Sequence, residues 1–125
     1  MQTAKAIVYI VDDDDSVRRA IRRLIRSAGM EVEAFASGGD FLTSAFRDQN
    51  VCIVADVRMP GMSGLELQRK LVERGLKLPV ILITGYHTAA TRNQAKKIGA
   101  FGYFKKSVDD QDLLDTIRWA LNPQS

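Results

Sequence analysis

Three stretches of the chain, residues 6–11, 51–55 and 80–83, are apolar without a break and rich in β-branched residues. Runs of this length predict strands covered on both faces. Residues 101–104, Phe-Gly-Tyr-Phe, predict a further strand. Residues 31–35, Glu-Val-Glu-Ala-Phe, alternate polar and apolar as an edge strand does. Between the strands the apolar period lengthens. Val17, Ala20, Ile21, Leu24, Ile25 and Ala28 make one helical stripe before Gly29, and Arg18, Arg19, Arg22, Arg23 and Arg26 take the other face. Ser37-Gly-Gly-Asp40 opens a second helix, with Phe41, Leu42, Ala45 and Phe46 as its buried positions. Ser63-Gly-Leu-Glu66 is a capping-box pattern, so a third helix starts there and ends near Gly75. A polar, alanine-bearing segment at about 88–98 predicts a fourth helix, ended by Gly99. Leu113, Leu114, Ile117, Ala120 and Leu121 form the stripe of a fifth, which Asn122-Pro123 ends.

Strands alternating with helices through short loops predict the α/β class. The expected architecture is a doubly wound (βα)5 flavodoxin-like sandwich with a parallel five-stranded sheet in the order 2-1-3-4-5. That order places the alternating strand at an edge and the three continuous apolar strands inside. With 125 residues, no repeat and no linker-like stretch, one domain over residues 1–125 is expected.

At 46% hydrophobic and 26% charged residues the composition is that of a globular domain. No apolar run approaches the roughly 20 residues that span a bilayer. The apolar start is too short, and too acidic at its far end, for a signal peptide. A single cysteine excludes an internal disulfide, so a cytoplasmic location is expected, and Cys52 inside its apolar run reads as buried filler. The net charge of +3 is modest, and the arginine cluster has no interleaved aromatic residue. A solvated helix face accounts for it, so neither nucleic acid nor membrane is an expected partner.

In an open parallel sheet, ligands sit beyond the C-terminal ends of the strands. Those ends deliver Asp12 and Asp13, then Asp56, then Thr84, then Lys105 and Lys106. Clustered carboxylates repel, and a cation relieves them. Oxygen ligands without His or Cys favour a hard ion, Mg2+ or Mn2+. Helix capping explains Asp14 or Asp15 but not Asp56 from a distant strand. A metal with a lysine and a hydroxyl opposite is a phosphoryl site. No Gly-rich phosphate loop is present, and no Ser or Cys nucleophile stands at the rim. Asp56 itself becomes the candidate nucleophile, forming an aspartyl phosphate.

Val11-Asp12-Asp13, Asp56-Val-Arg-Met-Pro-Gly-Met-Ser-Gly64, Thr84-Gly85 and Gly99-Ala-x-x-Tyr-x-x-Lys106 together resemble the receiver domain of two-component response regulators. The match covers nearly the whole chain. The run from Asp56 further resembles regulators carrying a C-terminal LuxR-type DNA-binding domain. The resemblance implies that Asp56 accepts a phosphoryl group from a sensor histidine kinase. It implies Mg2+ held by Asp12, Asp13, Asp56 and the Arg58 carbonyl, and a phosphoryl oxygen held by Lys106. Thr84 and Tyr103 are implied as the switch pair. The face of the fourth helix, fifth strand and fifth helix is implied to control homodimerisation and transcriptional output. Such a domain is a regulated binding module rather than an enzyme. As given, the chain is expected to be an excised receiver or a stand-alone signalling adaptor.

One position departs from the family. Ser107 stands where a proline usually follows the lysine, so a trans Lys106–Ser107 bond and a different loop are expected, with Lys105 as the other candidate for the role. A Mg2+-dependent aspartyl-phosphate phosphatase is the enzyme alternative, but it needs an acid two positions after the nucleophile, where Arg58 stands. A flavin site needs a phosphate-binding loop where four aspartates lie. His87 reads as a surface loop residue. Tyr86 is placed to shape access to Asp56. Trp119 falls on the outer face of the last helix, a candidate interface residue.

Overall fold

The computed structural model describes residues 5–122. Strands β1 (Ile7–Val11), β2 (Glu31–Phe35), β3 (Val51–Asp56), β4 (Val80–Thr84) and β5 (Gly102–Lys105) pair in parallel, in the order β2-β1-β3-β4-β5. Helices α1 (Asp15–Ser27), α2 (Gly38–Thr43), α3 (Gly64–Glu73), α4 (Ala89–Lys97) and α5 (Asp110–Leu121) alternate with them. The α/β sandwich expected from the periodicity is the one formed.

Alternation along the strands divides the core in two. Tyr9, Val11, Ile53, Ala55 and Leu82 pack with Phe41, Leu67, Leu71 and Ala95 of α2, α3 and α4. Val8, Ile10, Cys52, Val54, Ile81 and Ile83 pack with Ile21, Ile25, Leu113 and Ile117 of α1 and α5. Each inner strand therefore buries both faces, which is why β1, β3 and β4 lack the period-two signal. β2 pairs only with β1 and keeps Glu31 and Glu33 exposed.

Three expectations shift in detail. β5 begins one residue later than expected, because the Phe101 N–H donates to the Val80 carbonyl before the ladder with β4 starts at Gly102. Phe101 is left 37% exposed. α2 stops at Thr43, so Ala45 is exposed rather than buried. Its end is set by Ser44, whose N–H and hydroxyl both donate to the Phe41 carbonyl. Phe46 still reaches the core by stacking on Phe41 at 4.4 Å. Ala20 is exposed although it lies on the α1 stripe, which Ile21 and Ile25 bury. Pro123, expected to end α5, lies outside the described residues; the helix closes at Asn122.

Candidate functional site

β1, β3 and β4 end side by side, with Val11 opposite Ala55 and Asp56 opposite Ile83. The next residue of β1 is Asp12, fully buried; Asp56 is 4% exposed and Thr84 fully buried. These polar residues are sealed in because each ends a strand inside the core and the loops fold over it. The Asp12 N–H donates to the Phe35 carbonyl, and the Arg18 guanidinium to the Asp12 carbonyl at 2.7 Å. The Val57 N–H donates to the Ile83 carbonyl, and the Gly64 N–H to the Val57 carbonyl. This last bond brings the start of α3 against Asp56. A Cβ on Gly64 would lie 2.5 Å from the Asp56 carbonyl oxygen, so only glycine lets the two backbones meet.

Asp12, Asp13 and Asp56 each offer a carboxylate oxygen, all within 4.8 Å of one another. Asp12 Oδ1 accepts the Asp14 N–H at 2.9 Å, while its buried Oδ2 has no aligned hydrogen-bond donor. Asp14 is the N-cap of α1 and belongs to the helix, not to the cluster. Asp56 Oδ1 accepts the Arg58 N–H at 3.1 Å. Lys106 Nζ lies 3.1 Å from Asp56 Oδ2 and 3.3 Å from Asp12 Oδ2, bridging the two acids. Burial pushes the Asp12 carboxyl above its usual range and the Asp56 charge adds to this, against the Asp14 N–H and the Lys106 charge. Burial also disfavours the Lys106 ammonium, but its hydrogen bond to Asp56 and the two acidic charges outweigh that and hold its pKa up. An exposed acid and two buried ones, with a buried Asp12 oxygen approached only by Lys106, suit a hard divalent cation.

Of the two lysines, Lys106 reaches the acids. Lys105 is the last residue of β5, exposed and paired in register with Thr84. The Lys106 N–H donates to the Thr84 carbonyl, and the Val108 N–H closes a turn onto the Lys105 carbonyl. No cis peptide bond occurs among the described residues, so Lys106–Ser107 is trans. Cys52 is buried in the α1/α5 half of the core, its thiol pushed up to about 12 by burial.

The loop after β4 holds more than its sequence shows. The Thr84 hydroxyl donates to the Tyr86 carbonyl at 3.1 Å and accepts the Tyr86 N–H at 3.0 Å. The Arg58 guanidinium carbon sits 4.3 Å from the centroid of the Tyr86 ring, which is 60% exposed. His87 is exposed, as its loop position implies, yet its Nδ1 meets the Tyr103 hydroxyl at 2.9 Å. Sequence reasoning missed both pairs. Each joins two loops, or a loop and a strand, and no periodicity reports such contacts.

Residues 8–118 match the family model described as the response regulator receiver domain. The chain belongs to that family. It is 42% identical over 121 residues to the response regulator protein TmoT of Ectopseudomonas mendocina, covering 97% of this chain and 55% of that protein. It is 44% identical over 114 residues to the transcriptional regulatory protein TdiR of Thauera aromatica, covering 91% of this chain and 50% of that protein. The solved structure of FixJ-N superposes with a TM-score of 0.87 at 32% identity, covering 98% of each chain. This receiver thus spans about half the length of the curated relatives it matches. Receivers of this family are regulatory signalling domains of two-component systems. No helix among the described residues is long and apolar enough to cross a membrane.

Proposed function

We propose that this receiver is a phosphorylation-driven switch in which Asp56 is the phosphoacceptor. The observation that carries the reading is the placement of Asp56, buried between Asp12 and Lys106 with its Oδ1 oriented by the Arg58 N–H. The phosphodonor is the phosphohistidine of a sensor kinase or a small acyl phosphate. A carboxylate oxygen of Asp56 attacks phosphorus; the new O–P bond forms as the phosphohistidine N–P bond breaks and the released imidazole nitrogen takes up a proton, or as the O–P bond of an acyl phosphate breaks and the carboxylate leaves. Lys106 neutralises a phosphoryl oxygen once Asp56 is occupied. Asp12, Asp13, Asp56 and the Arg58 carbonyl would hold Mg2+, which supplies charge neutralisation to the transferring group when bound.

Thr84 then leaves the Tyr86 backbone for the phosphoryl group, and Tyr103 follows. The outer surface of α4, β5 and α5 changes its preference for a partner. Support comes from its chemistry: exposed Arg92 and Lys96 on α4, exposed Asp112 and Asp115 on α5, and Trp119 at 53% exposure. Two copies meeting isologously bring the cations of one to the acids of the other. Transcriptional output through a C-terminal DNA-binding domain of LuxR type is supported by the Asp56–Gly64 run and by a relative named as a transcriptional regulator. Cytoplasmic residence fits the unpaired Cys52. The phosphatase alternative lacks its acid, since the position two beyond Asp56 holds Arg58 stacked on Tyr86.

The bond type tests this reading. After incubation with acetyl phosphate and Mg2+, the protein should gain one phosphoryl group that hydroxylamine releases, as an acyl phosphate requires. A label that resists hydroxylamine would place the phosphoryl group on a hydroxyl or elsewhere and overturn the proposal.

A further inference from the structure

We propose that His87 is a positioning residue for the switch: it fastens Tyr103 in the arrangement in which the Thr84 hydroxyl is bound to the Tyr86 backbone. The inference rests on Thr84 and Tyr103 being the switch pair. Tyr103 pairs in register with Leu82, two residues before Thr84, so Tyr103 and Thr84 are diagonal neighbours on one face of the sheet. Both side chains end in a hydroxyl, and both hydroxyls are engaged by the same short loop. Tyr86 uses its backbone to satisfy the Thr84 hydroxyl as both donor and acceptor. One residue further on, His87 Nδ1 takes the Tyr103 hydroxyl at 2.9 Å, with the two rings 5.6 Å apart and inclined at 57°. Burial pushes the Tyr103 phenol pKa up, against the charge of Arg92, so the phenol meets the imidazole as a neutral hydroxyl.

The consequence is mechanical. Moving Thr84 toward Asp56 releases the Tyr86 backbone, and moving the Tyr103 ring after it breaks the bond to His87. The His87 bond is made only before the switch, so it counts against the switched state. A solvent-exposed hydrogen bond of this kind changes an equilibrium by about two- to tenfold. His87 thereby sets how much phosphorylation, or phosphoryl mimic, the domain needs before its α4/β5/α5 face responds.

The test is a titration with beryllofluoride in Mg2+ of four proteins: wild type, His87→Ala, Tyr103→Phe and the double variant, each with its thermal midpoint recorded. His87 is exposed, so its replacement is expected to leave the domain folded, with a midpoint lowered by no more than a few degrees through loss of the one bond. Each single variant should bind the mimic about two- to tenfold more tightly, and the double variant no more tightly than either single one. A purely structural role would weaken binding or leave it unchanged. Singles that bind no more tightly than wild type, or effects that add in the double variant, overturn the role of His87 while leaving Asp56 as phosphoacceptor. Failure of wild type itself to bind overturns the phosphoacceptor reading and this inference with it.

Discussion

The proposed role of Asp56 depends on neighbours that are costly to bury. Asp12 and Asp56 are buried acids, and Lys106 contacts both. Replacing Lys106 by Met keeps most of its volume and removes a charge-assisted hydrogen bond. That should slow phosphorylation from acetyl phosphate by roughly 10- to 100-fold, read as the initial rate of mass gain. The raised pKa of Asp12 carries its own consequence. Its folded state holds the proton more tightly than its unfolded state, so stability falls as pH rises from 3.8 through the folded pKa. In chelator, Asp12→Asn should lose this fall, and urea midpoints across that window should diverge from wild type as pH rises; parallel profiles would contradict it. At about 100 times its dissociation constant, Mg2+ should stabilise wild type by about 2.7 kcal/mol, and the Asn variant by much less. The acids were legible in the sequence because an apolar run that stops at a charged residue also says where that residue lands; the run 101–104 stops at Lys105, and it was the Gly99-to-Lys106 motif spacing that pointed to Lys106. The side-chain contacts of His87 and Arg58 were not legible. Their partners, Tyr103 and Tyr86, are fixed by loop paths that carry no period.

At the scale of the element, the β3–α3 connection ties Asp56, the proposed phosphoacceptor, to the frame. Ser63 caps α3 by accepting the Glu66 N–H, Glu66 returns a bond to the Ser63 N–H, and Gly64 closes on Asp56. Gly64→Ala should therefore destabilise the fold by about 1–3 kcal/mol, since the obstructing atom is backbone and cannot swing aside. A denaturant midpoint equal to that of wild type would show that the approach is looser than described. The capping box was visible as Ser-x-x-Glu and formed as expected. The end of α2 was not visible, because Phe46 keeps an apolar position at helical spacing while reaching the core from a loop, with the next N–H, that of Arg47, donating to the Tyr9 hydroxyl. Spacing alone does not separate a buried helical residue from one that folds back. The one-residue shift of β5 has the same origin, for Phe101 is apolar and its N–H is bonded to Val80 before the ladder begins.

For the molecule as a whole, the alternation of strands with helices and the polar–apolar alternation of residues 31–35 were enough to foresee the sheet order and the rim on which the acids meet. What the domain does with the signal depends on its surface, where pattern carries less. Trp119 is exposed on α5, one of the elements of the proposed dimer face. Trp119→Ala should weaken association in beryllofluoride by about thirtyfold if it is a buried anchor there, measured by sedimentation. Equal association of variant and wild type would remove it from the interface. The phosphorylation-rate and association expectations depend on an Asp56 carboxylate oxygen forming the O–P bond. The most direct check is the intact mass of wild type and of Asp56→Asn after the same exposure to Mg2+ and acetyl phosphate. Wild type should gain one phosphoryl group and the variant none; equal gains, or no gain in wild type, would contradict the assignment.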